Sequence, residues 1–144
     1  MTNQQLKEYC EAEFENIEIV IGELFTVVKP QKRKYSTVEL AAIATFLHNF
    51  YNGIENVLKR ILMQKRLEIK DTSTWHKDLL KMAADDGIIS ADLYNALSNY
   101  LSFRHFFVHA YSFALRWEDL KPLVDKIAET VKTFESSIYA SIGK

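Results

Sequence analysis

The fold is decided by one long stretch, residues 36–65, which reads STVELAAIATFLHNFYNGIENVLKRILMQK. Ser36 and Glu39 form the capping-box pattern, in which a serine hydroxyl accepts a hydrogen bond from an amide of the first turn and a glutamate reaches back. From Leu40 to about Lys65 the apolar residues recur about every 3.5 positions, which predicts a single amphipathic helix. A helix of this length with an apolar stripe along it needs several partner elements to cover that stripe.

The same spacing predicts a helix on either side of this stretch. Residues 3–28 form the first helix, behind a second capping-box pattern that begins at Thr2. Residues 71–74 are expected to break the long helix and to supply the N-cap of the next one. That third helix is short, covers residues 75–86 and ends at Gly87, which suits the left-handed conformation common after a helix.

Two more helices are predicted in the last third of the chain, which completes an all-α, antiparallel bundle of four to five helices. Ser90 caps the fourth helix and the fifth begins near Trp117. The apolar stripe of the fourth helix is predicted to run through Leu93, Ala96, Leu97, Tyr100, Leu101, Phe107, Val108, Tyr111 and Leu115.

Length and composition limit the fold further. The 144 residues fit one domain, 1–144, and a hydrophobic content of 48% with 26% charged residues is typical of globular chains. Only 4 glycines and 2 prolines are present, too few for the turns of an all-β fold or for a glycine-rich nucleotide loop. No apolar run approaches the roughly 18 residues that a membrane-spanning helix needs.

Cysteine content and charge indicate the compartment and the class of partner. Cys10 is the single cysteine, so neither an internal disulfide nor a cysteine-based metal site is expected. Residues 1–5 are polar and lack the layout of a signal peptide, which favours a cytoplasmic protein. The net charge of −1 does not indicate a nucleic-acid partner, so no DNA partner is expected and any polyanion would need a local patch. One such patch is the basic loop 29–34, which is typical of a solvated surface or of a phosphate contact.

Residues 103–111 contain the polar side chains that look least like ordinary surface. Arg104, His105, His109 and Tyr111 alternate there with phenylalanine and valine. On a helix Arg104 and Tyr111 lie within about 20° of each other, and His105 and His109 share another face, but Arg104 and His109 diverge by about 140°. Several of these polar groups must therefore be buried or line an interface between chains.

Ordinary structural roles compete with a functional one. Two histidines four residues apart can ligate zinc, but no glutamate lies between them, and His48 and His76 belong to other elements, so no metal site is expected. The cluster can also hydrogen-bond within its own bundle. Glu55, beside the apolar stripe of the long helix, is expected to pair with an arginine of a neighbouring helix. His76 is expected to cap its helix beside a packed Trp75.

Arginine, histidine and tyrosine without a metal suit attack on an RNA phosphodiester by the neighbouring 2′-hydroxyl. Histidine can accept and return protons near neutral pH because its ordinary pKa is about 6.5. Arginine can bridge two phosphate oxygens with its planar fork and so stabilise the developing charge. No serine or cysteine nucleophile is required.

The motif Arg104-x4-His109-x-Tyr111 resembles the R-x4-H-x-Y signature of the HEPN superfamily, in its HepT-like ribonuclease toxin branch. The segments 50–56, 75–80 and 115–117 are also similar to that branch, in the same order along nearly the whole chain. One departure is His105, because many members carry asparagine or another small polar residue after the motif arginine.

The resemblance implies a HEPN bundle that pairs as a homodimer, with Arg104 and His109 of both chains in a composite, metal-independent ribonuclease site. It implies an RNA substrate, tRNA or another class, and no cofactor. It also implies a nucleotidyltransferase antitoxin of the MNT type that attaches AMP to Tyr111, as in type VII-like toxin–antitoxin modules. His105 would act as an auxiliary proton donor or phosphate contact, and Glu55 as an auxiliary residue that orients Arg104.

Two other functions compete with a ribonuclease toxin. A non-catalytic HEPN module that binds RNA or a protein partner fits the net charge of −1, but not the complete R-x4-H motif. A helical bundle that carries a metal on its histidines would require zinc or iron in the purified protein.

Overall fold

The part of the chain that the structure describes contains five α-helices, and the longest of them is the central element. The computed structural model describes residues 1–68 and 73–143, and no strand occurs within those ranges. The helices are α1 (Asn3–Val27), α2 (Thr37–Gln64), α3 (Trp75–Asp85), α4 (Ala91–His109) and α5 (Trp117–Ile142), with a short 3₁₀ turn at Ser112–Ala114. This arrangement confirms the prediction of an all-helical bundle.

Helix α2 packs against each of the other four helices, which explains why its sequence determines the fold. Its predicted capping box is present: Glu39 N–H donates to Ser36 Oγ (3.1 Å) and Ser36 N–H donates to Glu39 Oε1 (2.8 Å). Twelve of its residues are buried: Ile43, Ala44, Leu47, Phe50, Tyr51, Gly53, Ile54, Glu55, Val57, Leu58, Ile61 and Leu62.

Local sequence signals also set the other helix boundaries. Thr2 and Gln5 form the predicted capping box of α1, and Ser90 caps α4 by accepting from Leu93 N–H at 3.1 Å. Gly87 follows α3 with a φ of 76°, in the left-handed region that glycine adopts without strain. Of the segment expected to break α2, residues 71 and 72 lie outside the described residues, and Thr74 directly precedes α3.

Helices α1 and α4 run antiparallel to α2 and α5, so four helix ends meet at one end of the bundle. Loop 28–36 brings the end of α1 beside the start of α2. The Tyr100 hydroxyl of α4 donates to the carbonyl of Leu123 in α5 at 2.6 Å, and the rings of His48 and Phe107 lie 5.2 Å apart. The starts of α2 and α5 and the ends of α1 and α4 therefore lie together, at what we call the His109 end.

The predicted stripe of α4 is wrong in its last part. The helix ends at His109, and Ala110 is extended, so Tyr111 and Leu115 lie beyond it. Val108 and Tyr111 are 48% and 75% exposed, whereas Leu115 reaches the core from the 3₁₀ turn. Leaving the helix lets the chain reverse into α5 and still bury Leu115.

In the described ranges, each helix is too short or too polar to span a lipid bilayer.

Candidate active site

Side chains from two neighbouring helices lie near the motif arginine. Arg104 lies on α4, Glu55 on α2 and His76 in the first turn of α3. Glu55 is only 5% exposed, while Arg104 and His76 are half-buried. These three residues form one polar cluster. It depends on the packing of α2 against both α3 and α4.

Glu55 pairs with a histidine and not with an arginine, which corrects the expectation from the sequence. His76 Nδ1 lies 2.9 Å from each carboxylate oxygen of Glu55. His76 does not cap its helix either, because its ring nitrogen is directed toward α2. Trp75 stacks against the imidazole with ring centroids 3.6 Å apart, and Lys59 Nζ lies 5.3 Å from the Trp75 ring.

Burial shifts the pKa values of both partners toward their neutral forms. Burial raises the pKa of Glu55 to about 7, against the opposing charges of Arg104 and Lys59. Burial lowers the pKa of His76 to about 4, and the charges of Arg104 and Lys59 add to that effect. Near neutral pH the histidine is therefore neutral and the carboxyl group is close to its midpoint. One proton lies between the two groups in either state: the imidazole donates it when the carboxyl group is ionised, and the carboxyl group donates it when it is protonated.

Arg104 lies beside polar atoms that have no partner of their own. Arg104 Nε, His48 Nε2 and the Tyr51 hydroxyl are buried without a hydrogen bond in the described part of the chain. The pKa of His48 is lowered by burial and by the Arg104 charge, so this histidine also lies near the guanidinium. Burial raises the pKa of Tyr51. The polar groups around Arg104 thus extend along α2.

Sequence reasoning missed most of this neighbourhood. The sequence pattern offers His48 and His76 only as metal ligands or, for His76, as a helix cap, and it marks Tyr51 only as part of the segment 50–56. A signal was present, however: His48, Tyr51 and Glu55 follow one another at spacings of three and four on a helix whose other inward positions are apolar. That spacing places them on one line along α2.

The remaining motif residues are exposed at the His109 end. The rings of His105 and His109 lie 5.0 Å apart and are inclined by 64°. Tyr111 stacks face to face on Phe113, with centroids 5.4 Å apart. Among the residues that the structure describes, no hydrogen bond joins Arg104 to His109. The motif therefore divides into an arginine directed toward α2 and α3 and a pair of histidines directed toward solvent.

Exposed apolar side chains surround these histidines. Phe106 and Phe113 are 44% and 76% exposed, in addition to Val108 and Tyr111. Large apolar groups that cluster on a surface are typical of an interaction site. The sequence predicted that the polar residues of 103–111 would be buried or line an interface. Arg104 is half-buried, and the other three lie within this exposed apolar surface.

A cavity of about 490 Å³ opens between the start of α3 and the middle of α4. Its lining includes the side chains of Arg104, His105, His76 and Lys77, with hydroxyl groups from residues such as Tyr94 and Ser102, and the described residues contribute no carboxylate to it. Cationic and hydroxyl donors of this kind suit a phosphate group. Within 1–68 and 73–143, no three histidine, cysteine or acidic side chains are placed to hold a metal ion.

Comparison with known proteins identifies a family. A family model described as "HepT-like protein" matches residues 42–142, which is 101 of the 144 positions and contains every site residue discussed above. No curated protein and no solved structure matches the chain.

Proposed function

The chain belongs to the HepT-like family, and from this membership and the site around Arg104 we propose that it is a metal-independent endoribonuclease toxin. The observation that carries the proposal is the environment of Arg104. Its guanidinium has no carboxylate within ion-pair distance among the described residues, and those residues contribute no acidic group to the cavity that it lines. The guanidinium is half-buried, its Nε has no hydrogen-bond partner among the described residues, and the nearby Glu55 carboxyl group is held by His76. A phosphate would supply direct hydrogen-bond acceptors and an opposite charge.

In the proposed reaction the 2′-hydroxyl of RNA attacks the adjacent phosphorus atom. The 2′-oxygen–phosphorus bond forms and the bond to the 5′-oxygen breaks, leaving a 2′,3′-cyclic phosphate and a 5′-hydroxyl. His109 transfers protons between these oxygens, and Arg104 stabilises the charge on the non-bridging oxygens. His105, 5.0 Å from His109 between ring centroids, is an auxiliary proton donor or phosphate contact.

Glu55 is proposed as a positioning residue for Arg104. The carboxyl group is held by His76 and is buried beside the guanidinium, whose charge acts on both. This arrangement restricts the directions that the arginine side chain can take. A fixed donor stabilises a developing charge better than a mobile one, because it needs no reorganisation during the reaction.

A homodimer would combine the two parts of the motif. Arg104 and His109 diverge by about 140° on a helix, so one chain directs them to different sides. Around a two-fold axis, Arg104 of one chain can meet His109 of the other. The exposed apolar groups at Phe106, Val108 and Phe113 supply the kind of surface that such a contact buries.

Tyr111 is proposed as the residue that an MNT-type nucleotidyltransferase antitoxin modifies. It lies outside the helix and is 75% exposed, so another enzyme can reach its hydroxyl. Transfer of AMP from ATP would form a phenol-oxygen–phosphorus bond and release pyrophosphate. The added bulk and negative charge would lie close to His109 and would repel the RNA phosphate.

The test is cleavage of labelled RNA by the purified protein in the presence of a metal chelator. We expect products with 2′,3′-cyclic phosphate ends, and a rate loss of about 10²-fold or more for Arg104→Ala and for His109→Ala. Arg66→Ala is the matched control, because Arg66 is exposed just after the end of α2, far from the His109 end of the bundle. Circular dichroism would verify the fold of each variant. Undiminished cleavage by either site variant would refute the mechanism.

A non-catalytic RNA-binding or partner-binding module is the second candidate function. The separation of Arg104 from His109 within one chain favours it if the protein is a monomer in solution. RNA binding without any cleavage by the wild-type protein would identify this function.

A further inference from the structure

A second cavity, of about 710 Å³, lies where α1 ends and α5 begins. Loop 28–36 forms one wall of it. We call it the basic groove and define it by its basic and aromatic side chains: Phe25, Lys29, Lys32, Arg33, Trp117 and Lys121. The function proposed above does not use this groove.

The basic groove keeps positive charge after its internal ion pairs are counted. Lys32 pairs with Glu39 outside the groove, and Lys121 Nζ lies 2.7 Å from Asp125, the one carboxylate that the described residues contribute to the lining. Lys29 and Arg33 form no ion pair within residues 1–68 and 73–143. Lys29 Nζ donates only to the carbonyl of Phe25, at 3.3 Å. Two cations therefore remain available to an anionic ligand.

Aromatic rings lie next to these cations. Phe25 is 42% exposed although it is a large apolar residue. Trp117 is half-buried and packs on Tyr35 with ring centroids 4.6 Å apart, and Lys32 Nζ lies 5.1 Å from the Tyr35 ring. Cationic side chains that alternate with aromatic faces are typical of surfaces that hold single-stranded nucleic acid, because phosphates meet the charges and bases stack on the rings.

The position of the groove connects it with the proposed cleavage site. The end of α1 and the start of α5 lie at the His109 end of the bundle, where the exposed histidines also lie. The chain as a whole carries a net charge of −1, so overall charge cannot retain an RNA strand. A local cationic surface at the same end would supply the attraction that the rest of the molecule lacks.

We propose that the basic groove anchors a single-stranded segment of the RNA substrate beside the cleavage site. Lys29 and Arg33 bind its phosphates, and a base stacks on Phe25. This inference rests on the proposed ribonuclease function, and it adds a binding site that is separate from Arg104 and His109.

Fluorescence anisotropy with a labelled, single-stranded 2′-O-methyl oligoribonucleotide tests the inference. This probe has no free 2′-hydroxyl, so binding is measured whether or not the protein cuts RNA. We expect the double variant Lys29→Ala/Arg33→Ala to bind about tenfold more weakly at moderate salt. Its slope of log affinity against log salt should fall by roughly 1.4, which is about 0.7 per lost phosphate contact. Phe25→Ala should bind about fivefold more weakly with an unchanged salt slope.

The matched control is Lys7→Ala/Lys81→Ala, which removes the same charge at the opposite end of the bundle and should bind as the wild type does. In a parallel cleavage assay the groove variant should raise KM with little change in kcat. Equal RNA affinity for groove and control variants would overturn the inference even if the wild type cleaves RNA. If the groove variant keeps the wild-type RNA affinity but no longer binds poly-L-glutamate, the groove binds an acidic protein, and the inference is overturned as well. Failure of the ribonuclease proposal would show separately, as an absence of cleavage by the wild type.

Discussion

His76 Nδ1 lies within 2.9 Å of both carboxylate oxygens of Glu55, and this contact joins the start of α3 to the middle of α2. The two residues are 21 positions apart in sequence, and Arg104 of α4 acts electrostatically on both. The same contact therefore joins α3 to α2 within the electrostatic field of the motif arginine. If Arg104 acts as proposed, stability and activity are coupled at this point of the molecule.

The first prediction concerns the pH dependence of stability. The pKa of Glu55 rises on folding from its ordinary 4.5 to about 7, so this group alone makes the protein less stable as the pH rises from 4.5 to 7. The pKa of His76 falls on folding from 6.5 to about 4, so this group alone makes the protein more stable as the pH rises from 4 to 6.5. In the wild type the two effects oppose each other where the ranges overlap.

Single variants should separate these effects. The Glu55→Gln variant should become more stable as the pH rises from about 4 to 6.5, because only His76 then titrates. The His76→Gln variant should become less stable as the pH rises from about 4.5 to 7. Each change in the free energy of unfolding should be on the order of 2 kcal/mol. Urea unfolding at a series of pH values, followed by circular dichroism, measures both slopes. The control is Glu8→Gln, which changes an exposed carboxylate and should keep the wild-type profile. Slopes of the same sign in the two variants would contradict the assignment.

The sequence predicted what depends on local interactions and missed what depends on packing. The capping boxes at Thr2 and Ser36 were found because all their atoms lie within four residues of one another. The end of α4 was not predicted from the sequence, because the packing of α5 determines where the chain turns after His109. The partner of Glu55 was missed for the same reason: only the placement of α3 brings His76 to it.

The second prediction compares two helical glycines. A Cβ atom at Gly53 would lie 2.6 Å and 2.9 Å from the Cγ1 and Cδ1 atoms of buried Ile17, whereas a Cβ atom at Gly22 would meet nothing within 4 Å. Gly22→Ala should stabilise the protein by about 0.5–1 kcal/mol through its helix propensity. Gly53→Ala should lower the free energy of unfolding by about 1 kcal/mol, because the displacement of Ile17 costs more than the improved helix propensity contributes. Thermal unfolding measures both, and a more stable Gly53→Ala would show that α1 and α2 are not packed this closely.

The third prediction concerns modification of Tyr111. Its ring is exposed and touches Phe113, so Tyr111→Phe should leave folding and RNA cleavage essentially unchanged. The same variant should no longer gain an AMP group when it is incubated with ATP and the cognate nucleotidyltransferase, and its cleavage should no longer be silenced. Intact-protein mass spectrometry and the RNA assay measure the two effects. Tyr139→Phe, which changes another partly exposed tyrosine on α5, should be modified as the wild type is. An adenylylated Tyr111→Phe protein would exclude Tyr111 as the acceptor.

The fourth prediction tests whether the cleavage site is shared between chains. The variants Arg104→Ala and His109→Ala should each be inactive alone. In a heterodimer of the two, purified through different tags, one chain retains His109 and the other retains Arg104. If these two groups act across the interface, the heterodimer holds one complete pair and should recover roughly half of the wild-type rate per dimer.

A second heterodimer decides between the two arrangements. It joins a wild-type chain to a chain that carries both Arg104→Ala and His109→Ala. If the pair acts across the interface, each remaining group faces an alanine, and this heterodimer should be inactive. If the pair acts within one chain, the wild-type subunit is complete, so this heterodimer keeps about half of the activity and the first one recovers none. The divergence of Arg104 and His109 on α4 by about 140° predicts the first pattern. The reverse pattern would place the complete site inside a single chain and would require α4 to change shape when RNA binds.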